Sequence, residues 1–170
     1  MTKLFSFLAI ALVSSFLLVN CTNADHSAPA TTDDYDTEVL TKELEVAFEK
    51  MFKNVTLTNA TEYFKTDVSD DFHTINADGI IQNKEELLQD TARLKLLEIL
   101  DFKFFDQIIK VYLNVGIING RLQAFSEDNY VGEVFYTAIF IKENDIWKYK
   151  NWQGTWTKDS PPPPSFLPEN

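Results

Sequence analysis

The stretch from Tyr130 to Thr157 limits what this chain can become more than any other. Two runs rich in β-branched and aromatic residues flank a polar break at Glu143-Asn144-Asp145, the pattern of a β-hairpin. Side chains alternate across a strand. In the second arm Trp147, Tyr149, Asn151, Gln153 and Thr155 are therefore expected on one face, with Lys148, Lys150 and Trp152 on the other. The first arm is apolar on both faces. Val131, Phe135, Thr137, Ile139 and Ile141 share one side; Val134, Tyr136, Ala138 and Phe140 share the other. Two apolar faces call for two covers, from helices, a second sheet or another subunit.

The N-terminus reads as a targeting segment. Lys3 precedes an apolar run from Leu4 to Val19, too short to span a bilayer comfortably and suited to a cleaved signal. Cys21 is the sole cysteine, so no intramolecular disulfide can form. Its place after Leu18-Val19-Asn20 resembles the lipobox of bacterial lipoproteins, with Asn20 where that family has a small residue. The resemblance implies acylation of Cys21 and a cell-envelope location. A plain secretory signal, giving a secreted or periplasmic protein, is the other reading. Were the protein eukaryotic, Asn54-Val55-Thr56 and Asn59-Ala60-Thr61 would be glycosylation acceptors.

The expected layout is a signal peptide over 1–20, a flexible polar tether over 21–35, a folded domain over 36–158 and a proline-rich tail over 159–170. The tether lacks periodic apolar residues. The domain opens with a helix capped by Asp36 or Thr37, in which Leu40, Leu44, Ala47, Phe48, Met51 and Val55 form one buried stripe. A short helix through Tyr63 and Phe64 follows, then a polar turn from Asp67 to Asp71. Phe72 to Asn76 is a strand, Asp78-Gly79 a turn, and Ile80-Ile81 the start of the return strand. Asn83 caps a third helix with Glu86 as its capping-box partner; Leu87, Thr91, Leu94 and Leu97 line its buried face. From Ile99 the period changes toward two, giving a long strand to Tyr112 with a bulge around Phe102 to Asp106, a strand from Val115 to Phe125, and then the hairpin. Four consecutive prolines from Pro161 cannot join a sheet interior. About three helices ahead of an antiparallel meander describe an α+β domain whose curved sheet, closed by helices, leaves a conical pocket.

Several phrases resemble the nuclear-transport-factor-2-like (NTF2-like) superfamily, in its SnoaL-like and DUF4440 branch. They are Asp70-Asp71-Phe72, Asp78-Gly79, Asn83-Lys84-Glu85-Glu86-Leu87, Lys110-Val111-Tyr112, Val115-Gly116-Ile117-Ile118-Asn119-Gly120, and Ile141-Lys142 with Ile146-Trp147-Lys148-Tyr149. Gly116 stands where the family usually has alanine. The resemblance spans residues 36–158 and implies a cone-shaped fold with a cavity, often a homodimer through the sheet. Its members include isomerases, dehydratases, cyclases and non-catalytic binding domains, so function must be argued at the site.

The pocket is the default site. Tyr112, Trp147, Tyr149, Asn151 and Gln153 are the expected ligand-binding residues. Asp71 and His73, two apart on one strand, form the candidate acid–base pair. Packing, capping and solvated roles compete for every one of these residues. The sequence has no His-x-His, Cys-x-x-Cys or His-Glu-x-x-His ligand pattern, Gly-rich phosphate loop or Gly-x-Ser-x-Gly elbow. No metal or cofactor is expected. A net charge of −11 disfavours nucleic acid and unassisted binding to an anionic membrane, leaving a lipid anchor on Cys21 as the membrane contact. The leading expectation is an envelope-tethered domain that binds a small apolar molecule or serves as an accessory. The alternatives are a cofactor-independent isomerase, dehydratase or hydrolase, and an assembly domain acting through its sheet.

Overall fold

The computed structural model describes residues 37–161; the expected signal, Cys21, the tether and most of the proline-rich tail lie outside them. The element order is α1 (Thr37–Asn54), α2 (Ala60–Asp67), β1 (Val68–Ile75), β2 (Ile81–Asn83), α3 (Lys84–Gln89), α4 (Thr91–Ile99), β3 (Asp101–Tyr112), β4 (Val115–Ser126), β5 (Asn129–Glu143) and β6 (Ile146–Trp156). The six strands form one sheet in the order β2-β1-β6-β5-β4-β3. This is an α+β domain with N-terminal helices packed on a curved, unclosed sheet.

The apolar stripe of α1 behaves as its spacing demands, with Leu40, Leu44, Phe48 and Met51 all buried. Asn83 and Glu86 form the expected capping box: the Asn83 side chain accepts from Glu86 N at 2.9 Å, and the Glu86 carboxylate accepts from Asn83 N at 2.9 Å. The expected third helix is two. Asp90 ends α3, and its side chain turns back to accept from Arg93 N at 2.9 Å, capping α4. An aspartate that offers its own oxygen to the backbone is a natural place for a helix to break and restart.

Three further details differ from the sequence reading. Residues 68–71 are the start of β1 rather than a turn, because Val68 and Ser69 are buried. The sheet is not wholly antiparallel: β1 runs parallel to β6, while every other pairing is antiparallel. The β3 bulge, expected around Phe102 to Asp106, falls at the end of that span and just past it, between Phe105 and Ile108, where Asp106 takes a φ of 52°. The β5–β6 turn is the expected one, with Asn144 and Asp145 at φ of 50° and 63°, as a two-residue type I′ hairpin requires.

The most consequential difference is in β6. Phe140 pairs with Tyr149, but the next pair is Ile139 with Asn151. Lys150 is an extra residue, a β-bulge, and beyond it the faces exchange. Trp147 and Tyr149 point inward as expected. After the bulge Trp152 and Trp156, opposite Ala138 and Val134, take the inner face. Asn151, Gln153 and Thr155, opposite Ile139, Thr137 and Phe135, take the outer one. In β5 Val134, Tyr136, Ala138 and Phe140 are buried and the Phe135 side faces outward, except Val131, which the sequence reading put on that side: it sits at the register shift beside Gly132 and lines the cavity. Among the described residues only the inner face has a cover.

Candidate functional site

The inner face, α1 and α4 enclose a cavity of about 200 Å³. Its walls come from distant parts of the chain: Met51 and Phe52 of α1, Phe72 and Thr74 of β1, Leu94 and Leu97 of α4, Leu122 and Ala124 of β4, and Tyr149, Trp152 and Trp156 of β6. The aromatic side is rigid. Trp152 stacks on Tyr136 with centroids 4.8 Å apart and meets Phe52 at 5.4 Å; Tyr149 stacks on Phe140 at 4.8 Å and meets Phe72 at 5.3 Å. Ring contacts of this kind stabilise beyond the area they bury and hold the wall in place. Burial raises the Tyr149 phenol well above its ordinary pKa, with smaller effects from Tyr63 and Tyr136, so it stays protonated at neutral pH.

One end of the cavity is polar. Thr74, Asn76, Asp78 and Arg93 reach it from β1, the β1–β2 turn and α4. They belong to one hydrogen-bonded network. Thr74 Oγ1 donates to Asn76 Oδ1 at 3.2 Å, and Asn76 Nδ2 donates to Gln82 Oε1 at 3.0 Å. Gln82 Nε2 donates to Asp90 Oδ2 at 3.0 Å. Arg93 donates from Nε to Asp90 Oδ2 at 3.3 Å and from Nη2 to Asp78 Oδ2 at 2.8 Å. Burial works to raise the pKa of Asp90, but the Arg93 backbone N–H, the Gln82 amide and the Arg93 guanidinium outweigh it and hold the carboxyl below its ordinary value. Both Asp78 and Arg93 have side chains only 18% exposed, so this ion pair is far less screened than a surface one. The sequence reading did not single out these residues. The signal it held was Asp78-Gly79, read only as turn chemistry, and Arg93 on the helix that follows.

The structure does not bring the expected catalytic pair to the cavity. Phe72 and Thr74 are the inward residues of β1; Asp71 and His73 alternate outward and are exposed. Asp71 is paired with Lys150 at the β6 bulge and accepts from Ser69 Oγ at 2.7 Å. Those two hydrogen bonds hold its carboxyl down to about 2, which leaves it a weak base at neutral pH. His73 offers its carbonyl to Asn151 Nδ2 at 3.0 Å. Of the expected ligand-binding residues, Tyr149 lines the cavity. Trp147 is buried at the far end of β6 beside α1, and Tyr112 lies on the outer face, 57% exposed. Asn151 and Gln153 are turned outward by the Lys150 bulge, and Trp152 takes the place expected of them. Among the described residues, no group of three or more His, Cys, Asp or Glu side chains is gathered as a metal site would require.

No family model matches the sequence, and no curated protein matches it. Solved structures do. An NTF2-like protein from Cytophaga hutchinsonii is 13% identical, with a TM-score of 0.50 over 71% of this chain and 97% of that one. A protein of the NTF2-like family from Streptomyces avermitilis, provisionally named a dehydratase, is 11% identical, with a TM-score of 0.59 over 71% and 97%. The CaMKII hub of S. rosetta is 12% identical, with a TM-score of 0.55 over 69% and 96%. At these identities the likeness is one of architecture, and residues 37–161 have the NTF2-like fold.

Proposed function

We propose that the domain binds a small, largely apolar molecule in the cavity behind β6. The observation that carries this reading is the cavity itself: apolar and aromatic walls on rigid elements, with one polar end, the usual composition of a ligand site. A 150 Å³ apolar cavity accommodates benzene, so about 200 Å³ suits a ligand of roughly eight to ten non-hydrogen atoms. Catalysis is the weaker reading. Asp71 and His73 face away from the cavity, and Asp78, the one carboxylate among its described lining residues, is ion-paired with Arg93 at 2.8 Å.

A panel of small apolar molecules tests the reading by thermal unfolding. A ligand that binds only the native state at a hundredfold excess over Kd adds about 2.7 kcal/mol, a rise in Tm of several degrees. Trp152→Ala should remove that rise. A panel in which no member shifts the wild-type Tm removes the reading.

Two statements about setting complete the proposal. The domain is exported and tethered to the cell envelope through an acylated Cys21, a reading supported by Lys3, the apolar run and the lone cysteine. The mass of the mature chain tests it: loss of the first twenty residues plus acyl chains is expected, and a Cys21→Ser chain should lose the acyl mass. The domain also pairs with a second copy through the outer sheet face, a reading supported by that face's exposed apolar residues.

A further inference from the structure

The polar end of the cavity carries an imbalance of charge. Two carboxylates, Asp78 and Asp90, share one guanidinium, Arg93, so the cluster is formally −1. Among the described residues, Asp78 and Arg93 are the only charged ones that line the cavity. The neutral members are largely committed to one another. Thr74 donates to Asn76, and Asn76 spends its amide on the Ile80 carbonyl at 3.2 Å and on Gln82. Each Asp78 oxygen accepts one hydrogen bond and retains a second lone pair. The cluster therefore offers incoming ligand unfilled acceptors at a carboxylate and a cation already bracketed by anions.

Resting on the reading of the cavity as a ligand site, we infer that this end selects the ligand's head group: an apolar molecule ending in a hydrogen-bond donor without negative charge, an alcohol or a primary amine, and not a carboxylate. An anionic head that approached Arg93 would have to do so beside Asp78 and Asp90. A juxtaposition of like charges in a partly desolvated site is the repulsive element that specificity requires. A hydroxyl or ammonium meets the Asp78 oxygens without displacing Arg93. Adjacent acceptor and repulsion together make the discrimination one of head group, while the Trp152 and Phe72 walls supply affinity for the tail irrespective of head.

Octan-1-ol, octylamine and octanoate each have eight carbons, differ chiefly at the head and fit the volume. Binding of each to the whole protein is read by tryptophan fluorescence and by the shift in Tm. The alcohol and the amine should bind at least about tenfold more tightly than octanoate at neutral pH, the scale of one misplaced charge. Asp78→Asn should narrow the gap by weakening octylamine and strengthening octanoate. The wild-type series decides the matter even if that variant does not fold. Octanoate binding as tightly as the alcohol or more so overturns the head-group inference and leaves the cavity a ligand site. If none of the three binds, both fall together.

Discussion

At the scale of single residues, Asp71 shows how position decides chemistry. Its neighbours make it a strong acid: the Lys150 ammonium first, then the Ser69 hydroxyl, hold the carboxyl to about 2. The folded value lies below the ordinary carboxylate value of about 3.9, so any stability it contributes is present above that pH and is lost as the pH falls toward 2. Asp71 is exposed, so the effect belongs to local ion pairing and is screened by salt. Followed by carboxyl NMR, Asp71 should titrate near 2, and Lys150→Met should move its midpoint upward. A wild-type midpoint at the ordinary value would show that the pair does not form in solution. Gly116 is set by packing in the same way. A Cβ there would run into a methyl of Leu44, which is fully buried, and this accounts for glycine where the resemblance expects alanine.

At the scale of elements, the legible features were those written in local pattern. The α1 stripe, the Asn83–Glu86 cap, the Asn144-Asp145 turn and the two-faced β5 each depend on residues within a few positions of one another, and each stands where the sequence puts it. The parallel β1–β6 pairing was not legible, because it joins segments about eighty residues apart and no local period encodes a neighbour. The Lys150 bulge was missed for a sharper reason. Strict alternation assumes one residue per register step, and a single inserted residue moves every later side chain to the other face. It exchanged Asn151 and Gln153 for Trp152 and Trp156 on the cavity side, and so hid half the aromatic wall. The Thr74–Asn76–Asp78–Arg93 end was hidden because its members come from a strand, a turn and a helix. Deleting Lys150 should leave Phe140 opposite Tyr149 and Ile139 opposite Asn151 in an unbroken ladder, so Trp152 and Trp156 stay inward and the domain still unfolds cooperatively. Circular dichroism melts check this: a cooperative transition is expected, and its loss would show that the bulge itself, and not the pairing beyond it, holds the wall.

At the scale of the whole domain, among the described residues the sheet is covered on one side by helices and bare on the other. The bare side is neither uniformly polar nor uniformly apolar. Arg121 pairs with Glu133 at 2.9 Å and with Asp106 at 2.7 Å, and Gln123 donates to Glu133 at 2.7 Å, while Lys103 and Lys110 stand exposed on the same face without an ion pair among the described residues. Around them Phe135, Ile108 and Tyr112 stand 55%, 57% and 57% exposed. Exposed apolar side chains grouped on one sheet face are where another protein surface can be buried. A second copy supplies the same apolar groups, which is what a two-fold interface requires. The protein should therefore sediment as a dimer. Phe135→Lys would place a cation beside the Arg121 of its own strand pair, in the middle of the apolar patch. It should convert the dimer to monomer. Because Phe135 packs little within its own chain, the monomer should unfold within a few degrees of the wild type once the contribution of dimerisation is subtracted. A wild-type monomer at high micromolar concentration, or a Phe135→Lys dimer of unchanged affinity, would take the interface away from this face.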